Sequence, residues 1–303
     1  SFRPAGGFIQ FPQQLRRQLE VRGGEVRTGV TVQKILIENG RAYGVELTDG
    51  TQITTEYVVS TADTKVTFGK MVGYDLLSAI DSAYGKKVRR VKMSPSSIAI
   101  HLGLDGQLDL RGLGFDCGYN VLTTGRGAHE KMFRAWDNGE LLLDDDCFHL
   151  AVISPCLKTG GKQNLIIHVV PVAAAEWIDL QKNDPTAYRR KKTTTADFYI
   201  DKVQQYLIPG LRDHIRFTDV ATPATYARFI ASPTGSNFDM LPVPANFGKN
   251  RLPTRTPIKN LFVPKFSHGI WPSLQAGLQV VDMISRGKIM NGNSSFKTDN
   301  KVR

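Results

Sequence analysis

The chain contains three short runs rich in β-branched residues: 25–39, 41–49 and 52–63. Asn39-Gly40 separates the first run from the second, and Asp49-Gly50 separates the second from the third. Because Asn, Asp and Gly tolerate the left-handed backbone of a tight turn, such dipeptides between β-rich runs are strong hairpin signals. The pattern predicts a β-meander over residues 25–59.

A helical pattern precedes the meander. Residues 12–22 carry Leu15 and Leu19 four positions apart, and Gly23-Gly24 follows them. Pro12 suits the first position of a helix, where no backbone donor is needed. We therefore expect a short amphipathic helix over 12–22.

After the meander, the sequence changes from the apolar residues Val58-Val59 to the small residues 60–63. This change predicts a buried strand that leads into the cap of a helix over 64–72. A second helix is expected over 74–91, and the segment 106–147 is rich in turns and resists assignment.

The second half of the chain alternates strand-like and helical patterns. Strands are predicted at 96–105, 148–155, 164–172 and, after a long helix within 185–211, from residue 214 until Pro223 makes the pattern irregular. Meander, further strands and long helices together favour a mixed α/β fold with at least two sheets.

Near its end the chain reads as a strand at 260–264, a turn, and a helix over 272–286. The first amides of a helix lack intrahelical partners and carry partial positive charge, so a helix start behind this turn attracts anions or electron-rich oxygens. The alternative is an ordinary capped helix whose Leu274, Leu278 and Val281 face the core. The tail 292–303 is polar and expected to be disordered.

Composition changes this picture in two respects. Apolar residues make up 41% of the chain, and no apolar run approaches the ~18 residues of a membrane-spanning helix. The net charge of +11 is concentrated in basic runs at 85–92, 188–192 and 248–259. Since no aromatic-interleaved motif accompanies the basic runs, an anionic ligand or a peripheral membrane contact is favoured over nucleic acid.

Cysteine and histidine usage argues against two kinds of site. Cys117, Cys147 and Cys156 are odd in number and unevenly spaced, which favours idle thiols in a reducing compartment, in the cytoplasm or at a membrane surface. The histidines show no metal-ligand spacing, and we predict no metal site. The acidic triplet 144–146 could bind a cation or form a solvated turn; the turn is favoured.

Residues 4–63 and 221–284 resemble the FAD-dependent phytoene desaturase, carotene isomerase and retinol saturase family, which is related to the amine oxidases. The resemblance implies a partial two-domain FAD-dependent oxidoreductase fold with a β-meander and a sheet-plus-helix substrate domain. Residues 1–63 and 221–291 would belong to the FAD domain and residues 64–220 to the substrate domain. It also implies hydride transfer or isomerisation on an apolar polyene or isoprenoid, with FAD as cofactor.

The resemblance extends to individual positions. The family's first meander strand, around Val32 here, lies beside the adenine, and the exit at Ala62 returns the chain to the cofactor. The closing turn would bring further residues to the flavin: Lys265, Ser267, His268, Gly269, Ile270, Trp271 and Pro272. His268 is a candidate proton donor. Tyr226 and Arg228 are candidates for facing the substrate, with core packing and surface charge as the alternatives.

Two departures keep a second hypothesis open. The family's G-x-G-x-x-G fingerprint, which seats a pyrophosphate, is absent from the chain. Lys265 and Trp271 stand where the family has small residues. The chain, which opens at Ser1 in what reads as mid-protein text, is therefore expected to be a piece of a flavoprotein, with the fingerprint upstream or on a partner chain. The alternative is a non-catalytic module that binds an apolar ligand or serves as a scaffold.

Overall fold

The computed structural model describes residues 7–115, 118–154, 163–264 and 269–285, which divide into two compact units. The sheet unit contains residues 7–29 and 93–239, and the meander unit contains residues 30–92 and 240–285. This division into two units differs from the domain bounds predicted from the sequence. Residues 64–92 group with the meander, and residues 221–239 group with the large sheet.

The strands of the described residues, in chain order, are β1 (Val32–Glu38), β2 (Arg41–Leu47), β3 (Gln52–Thr54), β4 (Val58–Val59), β5 (Ser96–Leu104), β6 (Gly118–Thr123), β7 (His149–Ser154), β8 (Gln163–Val172), β9 (Ile215–Ala221) and β10 (Leu261–Phe262). The helices are α1 (Gln10–Val21), α2 (Tyr74–Ile80), α3 (Ser82–Arg90), α4 (Ala128–Asp137), α5 (Ala175–Asn183), α6 (Pro185–Tyr206), α7 (Leu211–His214), α8 (Pro223–Phe229) and α9 (Ile270–Ile284). A π-helix covers Val66–Gly73, and two short 3₁₀ turns cover Pro244–Asn246 and Gly248–Asn250. Within these ranges, no helix is long and apolar enough to cross a bilayer.

The predicted meander is confirmed. Strands β1, β2 and β3 pair antiparallel in that order. Asn39 and Gly40 have φ values of 49° and 71°, the left-handed pair that a two-residue hairpin turn needs. Two predicted bounds are wrong: the first strand begins only at Val32, and the third run breaks after Thr54.

The break in the third run has a topological reason. Val58-Val59 leaves the meander and pairs in parallel with Leu261-Phe262 of β10, forming a separate two-stranded sheet. The Val58 amide donates to the Asn260 carbonyl, and the Ser60 amide donates to the Phe262 carbonyl, both at 2.9 Å. The parallel pair thus joins segments from opposite ends of the chain.

The sheet unit is built on a five-stranded sheet of order β6-β7-β8-β5-β9, in which all neighbours are antiparallel. Alternate residues of β5, at positions 98, 100, 102 and 104, point into the core with 3% exposure or less. Trp177 of α5, Tyr199 of α6 and Met132 of α4 belong to the same core cluster. One face of the sheet is therefore covered by helices.

Several helical predictions are confirmed with shifted bounds. The first helix starts at Gln10, so Pro12 is its third residue rather than its first. Its missing N–H still costs no intrahelical bond, because the first amides of a helix have no intrahelical partner. The helix expected over 64–72 is a π-helix after its first turn, and the long helix ends at Tyr206, before Pro209. The irregular stretch after Pro223 is helix α8, which starts with Pro223 at its first position.

The alternative reading of the last helix is wrong in one respect. Ala276 and Val280 are the buried residues of α9, whereas Leu274, Leu278 and Val281 are 41–50% exposed. The periodicity correctly places Leu274, Leu278 and Val281 on one apolar face of α9. Within the described residues, however, nothing covers that face. Cys147 is buried and free, as expected; Cys117, Cys156 and the tail 292–303 lie outside the described residues.

Candidate functional site

The parallel pair defines the first candidate site. Because β4 and β10 run in the same direction, their carboxyl ends meet at one edge, from which residues 60–63 and 263–264 leave. In open α/β sheets, ligands bind outside the carboxyl ends of parallel strands. The Asp63 carboxylate accepts from the amides of Lys65 at 2.7 Å and Val66 at 3.1 Å, and so starts the following helical stretch.

The start of α9 is a further candidate, because this helix is the next element after β10 in the chain. Gly269 has φ 110°, a backbone that favours glycine, and no side chain caps the helix within the described residues. The Ser273 amide and hydroxyl both bond to the Gly269 carbonyl, at 3.3 and 2.8 Å. The amides of Ile270 and Trp271 precede the first intrahelical bond, so the helix presents its positive end uncapped.

The predicted cofactor residues are placed as follows. Val32 opens β1 opposite Leu47, beside a bulge, and is half-buried. Ala62 is half-buried at the edge of the parallel pair, where its carbonyl accepts from the Thr67 hydroxyl at 3.4 Å. Trp271 is 66% exposed, and Pro272 is the third residue of α9. Lys265, Ser267 and His268 lie outside the described residues, so their roles stay predictions.

One residue near this edge was not anticipated. The Lys65 ammonium donates to the carbonyls of Val88 at 2.9 Å and Arg89 at 2.8 Å, at the end of α3. Partial burial lowers the pKa of Lys65, and the nearby Asp63 charge opposes that shift. These contacts assign Lys65 to the C-terminal capping of α3 rather than to chemistry.

The second candidate site is the other face of the five-stranded sheet, which we call the open face. Its residues alternate with the core residues along each strand. Tyr119, Val121 and Phe217 are 55–64% exposed there, and Ile153 and Ile166 pair beside them. The exposed apolar side chains lie on the two edge strands, with Ile153 and Ile166 on the strands between them, and together they form a surface suited to an apolar ligand.

A recess lies at one end of the open face. It has a volume of about 260 Å³, and its walls include His101, Ile166 and Phe217. Gly103 forms part of it and stands opposite Phe217 in the sheet register. A Cβ at Gly103 would lie 3.3 Å from the Phe217 Cβ, so the glycine keeps the recess open. The alternating pattern of 96–105 pointed to this strand, but not to its role.

Several histidines are among the polar groups on the open face. Burial lowers the pKa of His168, and the neighbouring His101 adds to the shift. Near the end of β7, burial and then His129 lower the pKa of His149, whose Nδ1 is 2.6 Å from the Thr123 hydroxyl. Both rings are thereby biased toward the neutral form.

The remaining candidates lie on α8 and in the acidic turn. Tyr226 is half-buried, and the exposed Arg228 guanidinium lies 5.4 Å from the Phe229 ring centre. Asp145 forms a 2.6 Å ion pair with Lys202, and the Asp144 carboxylate accepts from the Asp146 amide. Among the residues the structure describes, no cluster of three metal-ligating side chains occurs.

Comparison with solved structures first defines the fold class. An oxidoreductase from Methanosarcina mazei superimposes with a TM-score of 0.57 at 19% identity, covering 92% of this chain and 55% of that chain. Putrescine oxidase bound to putrescine gives a TM-score of 0.59 at 13% identity, covering 93% and 54%. The mixed α/β fold predicted from the sequence is therefore confirmed, and it is similar to the fold of these two proteins.

Sequence comparison then identifies the relatives. Residues 1–138 match the family of flavin containing amine oxidoreductases. The chain is 29% identical over 235 residues to a chloroplastic prolycopene isomerase of Daucus carota, covering 77% of this chain and 35% of the relative. It is 25% identical over 284 residues to all-trans-retinol 13,14-reductase of Danio rerio, covering 86% and 45%. A lycopene-forming phytoene desaturase of Pseudescherichia vulneris is 25% identical over 248 residues, covering 79% and 46%.

These matches confirm the resemblance predicted from the sequence. The matched proteins include isomerases, reductases and desaturases, and the matched family model is that of flavin containing amine oxidoreductases. The sequence resemblance had predicted the same combination. The chain spans between about a third and a half of the length of the curated relatives it matches.

Proposed function

We propose that this chain is the catalytic and substrate-binding part of an FAD-dependent oxidoreductase that acts on an apolar polyene or isoprenoid. The observation that carries the proposal is the edge where β4 and β10 end together, combined with the uncapped start of α9 in the same unit. The relatives named prolycopene isomerase, retinol reductase and phytoene desaturase support the substrate class.

The described residues suit the flavin end of the cofactor. A reduced flavin gathers negative charge on its pyrimidine side, and the amides at Gly269, Ile270 and Trp271 are donors at a positive helix end. Gly269 permits close approach of backbone, and Pro272 holds the first turn. Bound FAD would supply the hydride chemistry. The chain would orient the flavin through these amides.

The other proposed contacts follow the family resemblance. Val32 would lie beside the adenine and Ala62 beside the returning chain. Lys265 and Ser267 would reach the cofactor near the closing turn. His268 would hold or donate a proton near the flavin. Trp271 would lie against the ring or narrow its site.

The pyrophosphate end needs residues that this chain does not show. Since no G-x-G-x-x-G sequence occurs in it, we propose that a segment with this fingerprint, upstream or on a partner chain, completes the FAD site. The exposed apolar stripe of α9, formed by Trp271, Leu274, Leu278 and Val281, supports such a segment. A large apolar helix face in water is unusual unless another layer covers it.

The open face is the proposed wall for the substrate. Its Tyr119, Val121, Ile166 and Phe217 offer an apolar surface for a polyene, while Tyr226 and Arg228 are further candidates for substrate contact. The protein would act mainly by orienting the polyene and excluding water. Contact with a membrane surface, from which lipophilic substrates are drawn, is compatible with the net charge of +11.

The test is the visible absorption spectrum of the protein expressed from its full reading frame, before and after addition of FAD. We expect a bound-flavin band that bleaches on anaerobic addition of a hydride-donating polyene such as phytoene. Gly269→Ala should weaken flavin retention, because φ 110° strains an alanine and displaces the first amides of α9.

Gly248→Ala is the matched control, since Gly248 also has positive φ and lies in the same unit but away from α9. A wild-type protein that retains no flavin at saturating FAD would overturn the cofactor assignment and leave the binding-module hypothesis. Equal flavin retention in both variants would overturn the assignment of the α9 amides.

A further inference from the structure

A cleft separates α6 from the edge strand β9 in the sheet unit. Its volume is about 550 Å³, within the range of about 300–1,000 Å³ typical of small-molecule sites. The α6 residues that line it are 189, 192, 193, 196, 197 and 200. This spacing of three and four places all of them on one helix face. The cleft is therefore lined by one side of a helix and one edge of a sheet.

The floor of the cleft is apolar. Ala196 and Ile200 of α6 are 5% and 3% exposed, and Val220 of β9 is 8% exposed. All three belong to the core cluster of the unit, with Ile215 packed against it. An apolar group that enters the cleft would contact the surface of an already rigid core.

The rim of the cleft carries one cation that is paired with carboxylates and two that are not. Arg212 is neutralised, because its Nε lies 2.6 Å from Asp201 Oδ1 and its Nη2 lies 3.2 Å from Asp197 Oδ1. Arg189 donates to the Thr186 hydroxyl, at 3.3 Å. Within the described ranges, neither Arg189 nor Lys192 has a carboxylate at ion-pair distance.

Besides Asp197, which is paired with Arg212, a second carboxylate lines the cleft. Asp219 accepts from the Val220 amide at 2.9 Å and is exposed. It offsets one of the two cations that lack a carboxylate partner. The lining residues comprise three cations and two carboxylates and so keep a net charge of +1. The hydroxyls of Thr193 and Thr218 supply further hydrogen-bonding groups at the same rim.

We infer that this cleft binds a small amphiphile with a monoanionic head group, whose head pairs with Arg189 and Lys192 and whose short apolar body lies on Ala196, Ile200 and Val220. A guanidinium and an ammonium both bind carboxylate or phosphate oxygens strongly. The inference also accounts for Arg189 and Lys192 of the basic run 188–192, which the proposed redox chemistry does not use. It is independent of flavin binding.

Calorimetric titration of the full chain with octanoate tests the inference, with octanol as the neutral match and octyl phosphate as the second anionic head. We expect both anions to bind one site per chain, and octanol at least about tenfold more weakly, the effect of losing one charged contact. Arg189→Ala/Lys192→Ala should weaken octanoate binding by about tenfold or more, and salt should weaken it in the wild type.

Arg190→Ala is the control, because Arg190 is exposed on the same helix but is absent from the lining. Its octanoate affinity should match that of the wild type. Ile200→Gln tests the floor separately and should weaken octanoate while leaving binding of inorganic phosphate unchanged.

Three results would overturn the inference. Equal binding of octanol and octanoate would show that Arg189 and Lys192 do not contribute to binding. Equal affinities for inorganic phosphate and octyl phosphate would show that the apolar floor does not contribute to binding and that the cleft is a simple anion site. Binding to vesicles with phosphatidylglycerol, but not to any soluble octyl compound, would assign the basic run to a membrane surface.

Discussion

Trp177 of the sheet unit and Trp271 of the meander unit lie in opposite environments. In the sheet unit, Trp177 is 1% exposed and packs edge-on against Tyr188 with ring centres 6.2 Å apart. In the meander unit, Trp271 is 66% exposed at the start of α9. Both belong to amphipathic helices, so sequence pattern does not separate them. Helix α5 has buried its aromatic side chain, whereas α9 retains an open stripe. Helix α1 of the sheet unit is also uncovered, with Leu15 57% and Leu19 46% exposed.

The sheets show the same difference. Strand β5 has partners on both sides over most of its length, and its inward side chains are almost fully buried. The parallel pair β4-β10 contains two residues in each strand. Two-stranded sheets are marginal alone, and parallel strands are usually covered on both faces. The comparison supports a meander unit that is completed by a further segment.

The largest expected effect is on the sheet unit. Trp177→Ala removes a buried ring that contacts Tyr188 and lies 5.1 Å from the Lys191 ammonium. We expect the free energy of unfolding to fall by about 3–5 kcal/mol, the usual cost of truncating a buried aromatic residue. Urea denaturation followed by circular dichroism measures it. A fall below about 1 kcal/mol would show that this core is not tightly packed.

A smaller effect is expected at the buried ammonium of the sheet unit. Lys202 is 7% exposed, and its Nζ lies 2.6 Å from Asp145 Oδ1. Asp145→Asn leaves that charge without its carboxylate and should cost about 1–3 kcal/mol. Asp146→Asn, in the same turn, is the control and should stay within about 0.5 kcal/mol. Equal stabilities of the two variants in urea would contradict the pairing.

A still smaller effect concerns pH. Since burial and His101 lower the pKa of His168 in the folded chain, the unfolded chain binds more protons once the pH falls below about 6.5. Stability contributed by neutral His168 is therefore present above that pH and is lost as the pH falls. Urea midpoints between about pH 8 and pH 5 should decline, and His168→Gln should flatten that decline. An unchanged slope would place the titration elsewhere, His149 being the next candidate.

The smallest expected change in stability, that of Trp271→Ala, is the most direct test of the difference between Trp271 and Trp177. Trp271→Ala should change the free energy of unfolding by no more than about 0.5 kcal/mol in this chain, because the ring is largely exposed. Its thermal and urea unfolding should match those of the wild type. A loss comparable with that of Trp177→Ala would show that α9 is already covered, and the proposed completing segment would then be unnecessary.

Local chemistry made much of this fold predictable. The Asn39-Gly40 turn and the strands at β5 and β8 follow from backbone preference and alternation, and all three are confirmed. The helix that ends before Pro209 was predictable because proline cannot continue it. Each of these features is determined within about ten neighbouring residues.

What escaped prediction depends on distant parts of the chain. The pairing of Val58 with Leu261 cannot be read from either segment alone. The periodicity of α9 shows an apolar face, but whether Leu274 or Ala276 is buried depends on what packs there. Strand β6 and helix α4 lie in the turn-rich segment 106–147, where no strong pattern announced them. The cofactor site at the end of the parallel pair follows from the resemblance, and both the site and its residue roles remain predictions.

The parallel pair also sets an order of assembly during synthesis. Strand β4 leaves the ribosome early, yet its partner β10 is made only after all of residues 93–239. The five-stranded sheet can therefore fold while β4 still waits for β10, since domains generally fold as units when their residues have emerged. A chain that stops before Leu261 would keep every strand of the large sheet but leave Val58-Val59 without its hydrogen-bonding partner. Such nascent chains expose a short apolar strand, the kind of segment that chaperones protect.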